Sequence, residues 1–285
     1  MTIEMSTLLT PRDLATLADS AEALAFADFF AAAPDGVRSR LGLRVELQAD
    51  ATLLLAPGFA TPILNRAIGL GLQRTATPET VDAITARFAA AGSTTWWLHW
   101  NPLAQPMDLP SMLAAKGFGL DGPSQWAKMQ RGTEPPPAFE SELTVDIAAA
   151  TQVDAVSQVF AQAFGMPSFM ADWLRALHGR ADWTVYAVMD GSRVVGGGCR
   201  YQRGQVAWLG MGSMAESHRR RGGQAVLMSR RIADALAMGA RRIFTETGEP
   251  LLEDSNPSLN NMKRCGFSKI VSRLNLGNPA APQLA

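Results

Sequence analysis

Apolar positions recur at helical spacing from Pro11 to Ala33, where Leu14, Leu17, Ala21, Leu24, Ala25 and Phe29 make one face that Asp28 interrupts near its end. Two short runs, Leu43–Gln48 and Thr52–Ala56, then predict a hairpin turning at Ala49-Asp50. Thr77-Pro78-Glu79 supplies an N-cap, a proline at the first helical position and an acid in the first turn, so a helix opens there and runs to Ala91, where Gly92 stops it. The Thr/Trp run from Thr94 to Trp100 predicts a strand. A short helix closing at Lys116-Gly117-Phe118 and a strand over Gln125–Gln130 end the first half.

Gly132-Thr133-Glu134-Pro135-Pro136-Pro137 breaks the pattern, because three prolines continue neither a helix nor a central strand. The pattern then restarts with a strand, Leu143–Ile147, and helices over Val153–Phe164 and Phe169–Leu177. Three strands follow in meander order, Trp183–Asp190, Arg193–Gln202 and Gln205–Met214, with glycines in both connections. A long helix from Gly223 to Met238 precedes Gly239, a suitable C′ residue. Strand Arg242–Thr247, helix Pro257–Arg264 and strand Phe267–Leu276 complete the chain, giving an α/β (α+β) layout with a mixed sheet. The expected division is 1–132, a Pro-rich linker 133–142, a second domain 143–277 and a tail 278–285. Leu113-Ala114-Ala115-Lys116-Gly117-Phe118 and Met262-Lys263-Arg264-Cys265-Gly266-Phe267 each close a short helix before a final strand, which suggests a duplication.

The 285 residues suffice for two cores, and 47% hydrophobic with 18% charged residues is a globular composition. Lys plus Arg equals Asp plus Glu at 26 each, so no overall field favours nucleic acid or an anionic membrane, and neither partner is expected. Two distant cysteines, Cys199 and Cys265, support neither a disulfide framework nor a metal site. The opening segment has no basic-then-apolar signal pattern, and no apolar run is long enough to span a bilayer, so a cytoplasmic location is expected.

Chemistry concentrates between the last meander strand and the long helix, in Met214-Ala215-Glu216-Ser217-His218-Arg219-Arg220-Arg221-Gly222-Gly223-Gln224-Ala225. Unpaired N–H groups and the helix dipole make such a helix start attractive to anions. Gly222 and Gly223 leave the approach to those amides open, and three arginines add phosphate donors, so a pyrophosphate is the natural guest. No Walker run exists, and a dinucleotide fingerprint would not follow an antiparallel meander.

This segment resembles the coenzyme A motif of the GNAT acyltransferases, Arg/Gln-x-x-Gly-x-Gly/Ala, with Arg219, Gly222 and Gln224 at the three positions; Gln224 departs from the usual small residue. Asn256 to Phe267 is similar to that family's last helix with its closing Gly-Phe. The resemblance implies a GNAT-like mixed sheet flanked by helices, two such domains in tandem with a degenerate first copy, and acetyl-CoA as co-substrate without a metal. It implies direct attack by a small-molecule or peptide amine. Arg219, Arg220, Arg221, Gly222, Gly223, Gln224 and Ala225 would hold the pyrophosphate, backbone groups of Met211, Gly212, Ser213 and Met214 would align the pantetheine, and Asn256 would contact it. Arg66-Ala67-Ile68-Gly69-Leu70-Gly71 spells the motif in the first half, but the next helix opens only at Thr77.

Met262 occupies the position where many relatives carry a tyrosine acid, and Val206–Met214 has no carboxylate. Glu246 is the remaining catalytic candidate, with water as the other proton relay. Blander readings stand beside these: Glu246 as the partner of a neighbouring group, Asn256 as the cap of the helix opened by Pro257, His218 as a loop residue, and His99, the tryptophans and both cysteines as core. Gly196-Gly197-Gly198 would weaken a strand unless something approaches it closely. A non-catalytic acyl-CoA-binding protein is the alternative reading, and a homodimer is compatible with the sequence.

Overall fold

The computed structural model describes residues 9–249 and 256–279, with backbone alone at 120–123. Thr10 and Asp13 bond each other reciprocally, Thr10 N–H to Asp13 Oδ2 at 2.9 Å and Asp13 N–H to Thr10 Oγ1 at 3.2 Å. This capping box opens α1 (Pro11–Ala31). The rest of the first half is α2 (Asp35–Leu41), β1 (Arg44–Gln48), β2 (Ala51–Leu55), β3 (Arg66–Ile68), α3 (Pro78–Ala91), β4 (Trp97–Trp100), α4 (Leu109–Ala115) and β5 (Gly119–Arg131). The second half is β6 (Thr144–Ile147), α5 (Ala150–Ala163), α6 (Phe169–Arg175), β7 (Trp183–Asp190), β8 (Arg193–Arg203), β9 (Val206–Met214), α7 (Gly223–Ala237), β10 (Arg242–Glu249), α8 (Pro257–Arg264) and β11 (Ser268–Gly277).

Among the described residues all the strands join one 11-stranded sheet in the order β1-β2-β3-β4-β11-β5-β10-β9-β8-β7-β6. Setting β6 aside, the order reads alike from both ends: β1, β2, β3 and β4 correspond to β7, β8, β9 and β10. In each half one parallel pair, β3 with β4 or β9 with β10, interrupts an antiparallel run. The last strand of each half is exchanged. β5 pairs with β10, β11 pairs with β4, and β5 and β11 meet in the middle.

Two features lie outside the sequence expectations. Helix α2 contains Gly36 and buries only Val37 and Leu41, so its pattern is too short to register. Strand β3 has three residues, and its Arg66, the first residue of the motif-like run in the first half, is wholly buried and paired with Glu22 Oε1 at 3.2 Å. Asp28, which seemed to weaken the end of α1, accepts from Arg180 Nε and from Trp183 Nε1, each at 2.8 Å, and so fastens α1 to the second half. Trp173 Nε1 donates to Phe29 O at 2.6 Å beside it.

Helix α1 packs against β5, β9, β10 and β11. Over the seam lies a buried ionic network. Lys128 of β5 donates to Glu22 Oε2 (2.8 Å) and Glu246 Oε2 (2.9 Å), while Arg273 of β11 donates to Glu22 Oε2 (2.6 Å) and Asp19 Oδ1 (2.8 Å). Arg66 stacks on Phe26, its guanidinium carbon 4.0 Å from the ring centroid. Three cations meet three carboxylates here, which is what allows such charges to stay dry. The α1, α5 and α6 side of the sheet carries Trp208 and Phe244 in its core, and the α7 and α8 side carries Leu209 and Ile243.

Candidate functional site

Strands β9 and β10 pair only where Val206, Ala207 and Trp208 meet Arg242, Ile243 and Phe244. Beyond Trp208 the backbone pairing ends, with Thr245 Oγ1 of β10 still donating to Leu209 O at 2.7 Å, and β9 bulges. Its register with β8 skips between Gly197↔Ser213 and Cys199↔Gly210, and Met211 takes a positive φ of 56°. The glycine run in β8 has three separate neighbours. A side chain would drive Gly196 into Met214, Gly197 into Val156 of α5, and Gly198 into Arg231 of α7. The close approach that the run demanded comes from these neighbours on β9, α5 and α7. Ser213 Oγ is buried with no partner among the described residues, and Ser213 lines a narrow cleft with Ser157, Cys199 and Met211.

After β9 the chain makes one 3-10 turn, Glu216–His218, and then Arg220 (φ 62°) and Gly222 (φ 81°) turn it into α7. Gly222 is the N-cap and has no side chain to cap the first turn, so N–H groups there stay available to an anion. The Ala225 N–H is already bonded to Gly222 O at 2.9 Å. Gly223 is bare because a Cβ would lie 2.6 Å from Met214 Cε. Gln224 is half-buried, its Oε1 close to Gly212.

The three arginines differ. Arg221 Nη1 donates to Asp190 Oδ2 at 2.7 Å and Nη2 to Glu142 Oε2 at 3.1 Å, so its charge is already matched. That bond from Arg221 holds the Asp190 carboxyl below its ordinary range. His218 packs beneath the loop, with Nδ1 2.8 Å from Ser217 Oγ and Nε2 3.3 Å from Asp190. Arg219 and Arg220 are exposed and make no ion pair among the described residues. At the far lip, Asn256 caps α8 by accepting the Leu259 N–H at 3.0 Å and donates its amide to Gly248 O.

Glu246 lies just past the point of parting. Trp208 Nε1 reaches both its oxygens (3.1 and 3.0 Å), and Lys128 holds Oε2. Met262 is in the core beneath α7 with Leu209 and Met228, so no hydroxyl stands in its place. Burial raises the Cys199 thiol to about 12 and the Cys265 thiol to about 11, which keeps both protonated. The sequence reading missed Lys128 and Arg231, whose burial shows only in three dimensions.

In the first half, the loop between β3 and α3 occupies the corresponding place, and its amides are taken. The Asp50 carboxylate accepts from the N–H groups of Gly71 (3.2 Å), Gln73 (2.9 Å) and Arg74 (3.0 Å). Gln105 N–H bonds Gly71 O at 2.8 Å, and Arg12 reaches Gly71 O and Leu72 O from α1, both at 3.1 Å.

The sequence matches no protein-family model and no curated protein. Solved structures resemble it over nearly their whole length, three of them as follows. A GCN5-related N-acetyltransferase from Kribbella flavida is 18% identical with a TM-score of 0.63, covering 92% of this chain and 95% of that one. Another from Sphaerobacter thermophilus is 16% identical with a TM-score of 0.60, covering 97% and 95%. A tandem GNAT protein from the clavulanic acid biosynthesis pathway is 16% identical with a TM-score of 0.60, covering 96% and 98%. The chain has the GNAT fold, as a mixed sheet flanked by helices in a tandem arrangement.

Proposed function

We propose that the protein is a GNAT-type N-acetyltransferase, transferring an acetyl group from acetyl-CoA to the amine of a small molecule or peptide. The observation that carries this reading is the parting of β9 from β10 beside a helix start that glycine leaves uncapped. Arg219, Arg220 and the first-turn amides of α7 would hold the pyrophosphate. Backbone groups of Met211–Met214 would line the pantetheine, with Asn256 on the opposite lip. The bound coenzyme supplies an activated acyl thioester. In the balanced reaction a C–N bond forms, the C–S bond breaks, and the proton lost by the amine matches the one gained by the thiolate. Glu246, fixed by Lys128 and Trp208, offers a carboxylate near the point of parting that attracts an ammonium group. No helix of the described residues is long and apolar enough to cross a membrane, and a cytoplasmic location suits acetyl-CoA chemistry and two free cysteines.

Calorimetric titration with coenzyme A, and with pantetheine as the fragment lacking the pyrophosphate, tests the site. Micromolar binding that pantetheine does not reproduce supports the assignment, and no binding at millimolar coenzyme removes it. A second reading, an acyl-CoA-binding protein without turnover, is favoured by Met262 in the tyrosine position and by the full set of partners on Glu246. Tight coenzyme binding with no acetylation across an amine panel would select it.

A further inference from the structure

Arg231 sits on the inner side of α7, 2% exposed, directly behind the β9 bulge. Its Nη1 donates to Cys199 O at 3.1 Å and Gly210 O at 3.0 Å, the two residues that face each other beside the register skip. Nη2 has the Met228 sulfur at 3.9 Å, and Nε has no partner. Among the described residues no carboxylate pairs with it. Burial lowers its pKa to about 10, which leaves it charged at neutral pH. The contrast with the seam is plain, for there every buried cation is matched by an anion.

An unmatched buried charge is costly to keep, since nothing nearby replaces the water it loses. The backbone also makes room for this one. A Cβ on Gly198 would lie 2.9 Å from Nη1, and one on Gly212 would lie 3.3 Å from Nη2. A trans peptide sets N–H opposite C=O, so anchoring Gly210 O toward α7 turns the Met211 N–H toward the other side of the sheet.

We propose that Arg231 is a positioning residue for acyl transfer, holding the β9 bulge in shape and placing an uncompensated positive charge behind Met211 and Gly212. The inference rests on the coenzyme reading above. Acyl transfer from a thioester gathers negative charge on the acyl oxygen and then on the sulfur. A fixed cation in a dry setting favours that charge over the neutral ground state, so it acts on kcat more than on affinity.

Three measurements on the full chain test this. In coenzyme-free protein, Arg231→Met shifts the amide resonances of Met211 and Gly212. The same variant lowers kcat about 100-fold, the scale of one lost electrostatic contact to developing charge, while coenzyme A affinity stays within about threefold. Arg231→Lys, which keeps the charge, recovers about tenfold of that loss. Unchanged kcat, equal loss in the Met and Lys variants, or a coenzyme affinity that falls as far as kcat overturns the proposal. Should Arg231→Met not fold, Gly198→Ala displaces the guanidinium instead, and unchanged kcat there overturns it equally. A wild-type chain that binds no coenzyme removes the coenzyme reading and this inference with it. Binding and turnover indifferent to Arg231→Met remove this inference alone.

Discussion

Asp50 and Asp190 lie in corresponding hairpins of the two halves, and each reaches the loop that leads into the next helix, but by different groups. Asp50 fills the loop's own backbone amides, whereas Asp190 takes the side chains of His218 and Arg221 instead of amides. In the first half a carboxylate of the chain itself fills the place that the proposed coenzyme pyrophosphate would take in the second. One coenzyme A per chain is the expected stoichiometry, read by calorimetry. Asp50→Ala should lower unfolding stability by about 1–3 kcal/mol, since three N–H groups lose a charged acceptor. A stoichiometry of two in the wild type would refute this account of the first half.

The unequal surroundings of the three loop arginines predict unequal effects. Arg219→Ala and Arg220→Ala should each weaken coenzyme binding about tenfold, the scale of one charge-assisted hydrogen bond. Both effects should shrink as salt screens the exposed charges. Arg221→Ala should change affinity less than about threefold, because its guanidinium already serves Asp190 and Glu142. Equal losses at all three positions, measured by titration at two ionic strengths, would show that the Arg221 pairs open on binding.

Helix starts were legible because their signals are local. Thr77 with Pro78, and Asn256 with Pro257, open helices in the structure as in the sequence, and both cap side chains accept an amide three residues on. The strand-to-helix turn proposed to hold the coenzyme was legible as a turn for the same reason, since strand, glycine pair and helix follow one another within a few residues. The exchange of β5 and β11 was not. It goes with contacts of long range that join the halves: Lys128 to Glu246 across 118 positions, and Arg273 to Glu22 across 251. Arg273 looks like an ordinary polar residue until the sheet gathers it beside Arg66 and Glu22. Glu246 likewise shows its partners only once β5 lies beside β10.

The seam also predicts how stability responds to acid. His99 is held well below its ordinary 6.5 by burial first and then by Arg273 and Arg66. Burial alone would raise Glu22, but Arg273, Lys128 and Arg66 outweigh it and hold the carboxyl well below 4.5. Both groups bind a proton more readily in the unfolded chain, so both contribute stability that is present at neutral pH and lost on acidification. The loss from His99 begins as pH falls through about 6.5, and that from Glu22 follows below about 4.5. His99→Leu should flatten a urea-denaturation series between about pH 6.5 and 5 and leave the steeper fall below 4.5 in place. An unaltered slope in the upper window would show that His99 is protonated in the folded chain.

The exchanged strands make a stronger claim about the Pro-rich connector. It is also anchored: Ser229 Oγ donates to Pro137 O at 2.7 Å, and Arg131 reaches the Glu134 and Pro135 carbonyls. If the halves were beads on a string, cutting the chain there would free two stable pieces. In this topology each piece lacks the strand that completes its own sheet, because β5 belongs beside β10 and β11 beside β4. The cut would also part Arg273 from Glu22 and Asp19, and Lys128 from Glu246. A protease site inserted among Pro135–Pro137 and cleaved in the folded protein should therefore leave one particle of undiminished size on gel filtration, separable only in denaturant. Either piece expressed alone should be unfolded or aggregated, since open central edges invite foreign pairing. Co-expressed, they should assemble into the same particle. Two folded, separating fragments would instead mean that the exchange adds nothing to stability, and that each half closes its own sheet once the other is gone.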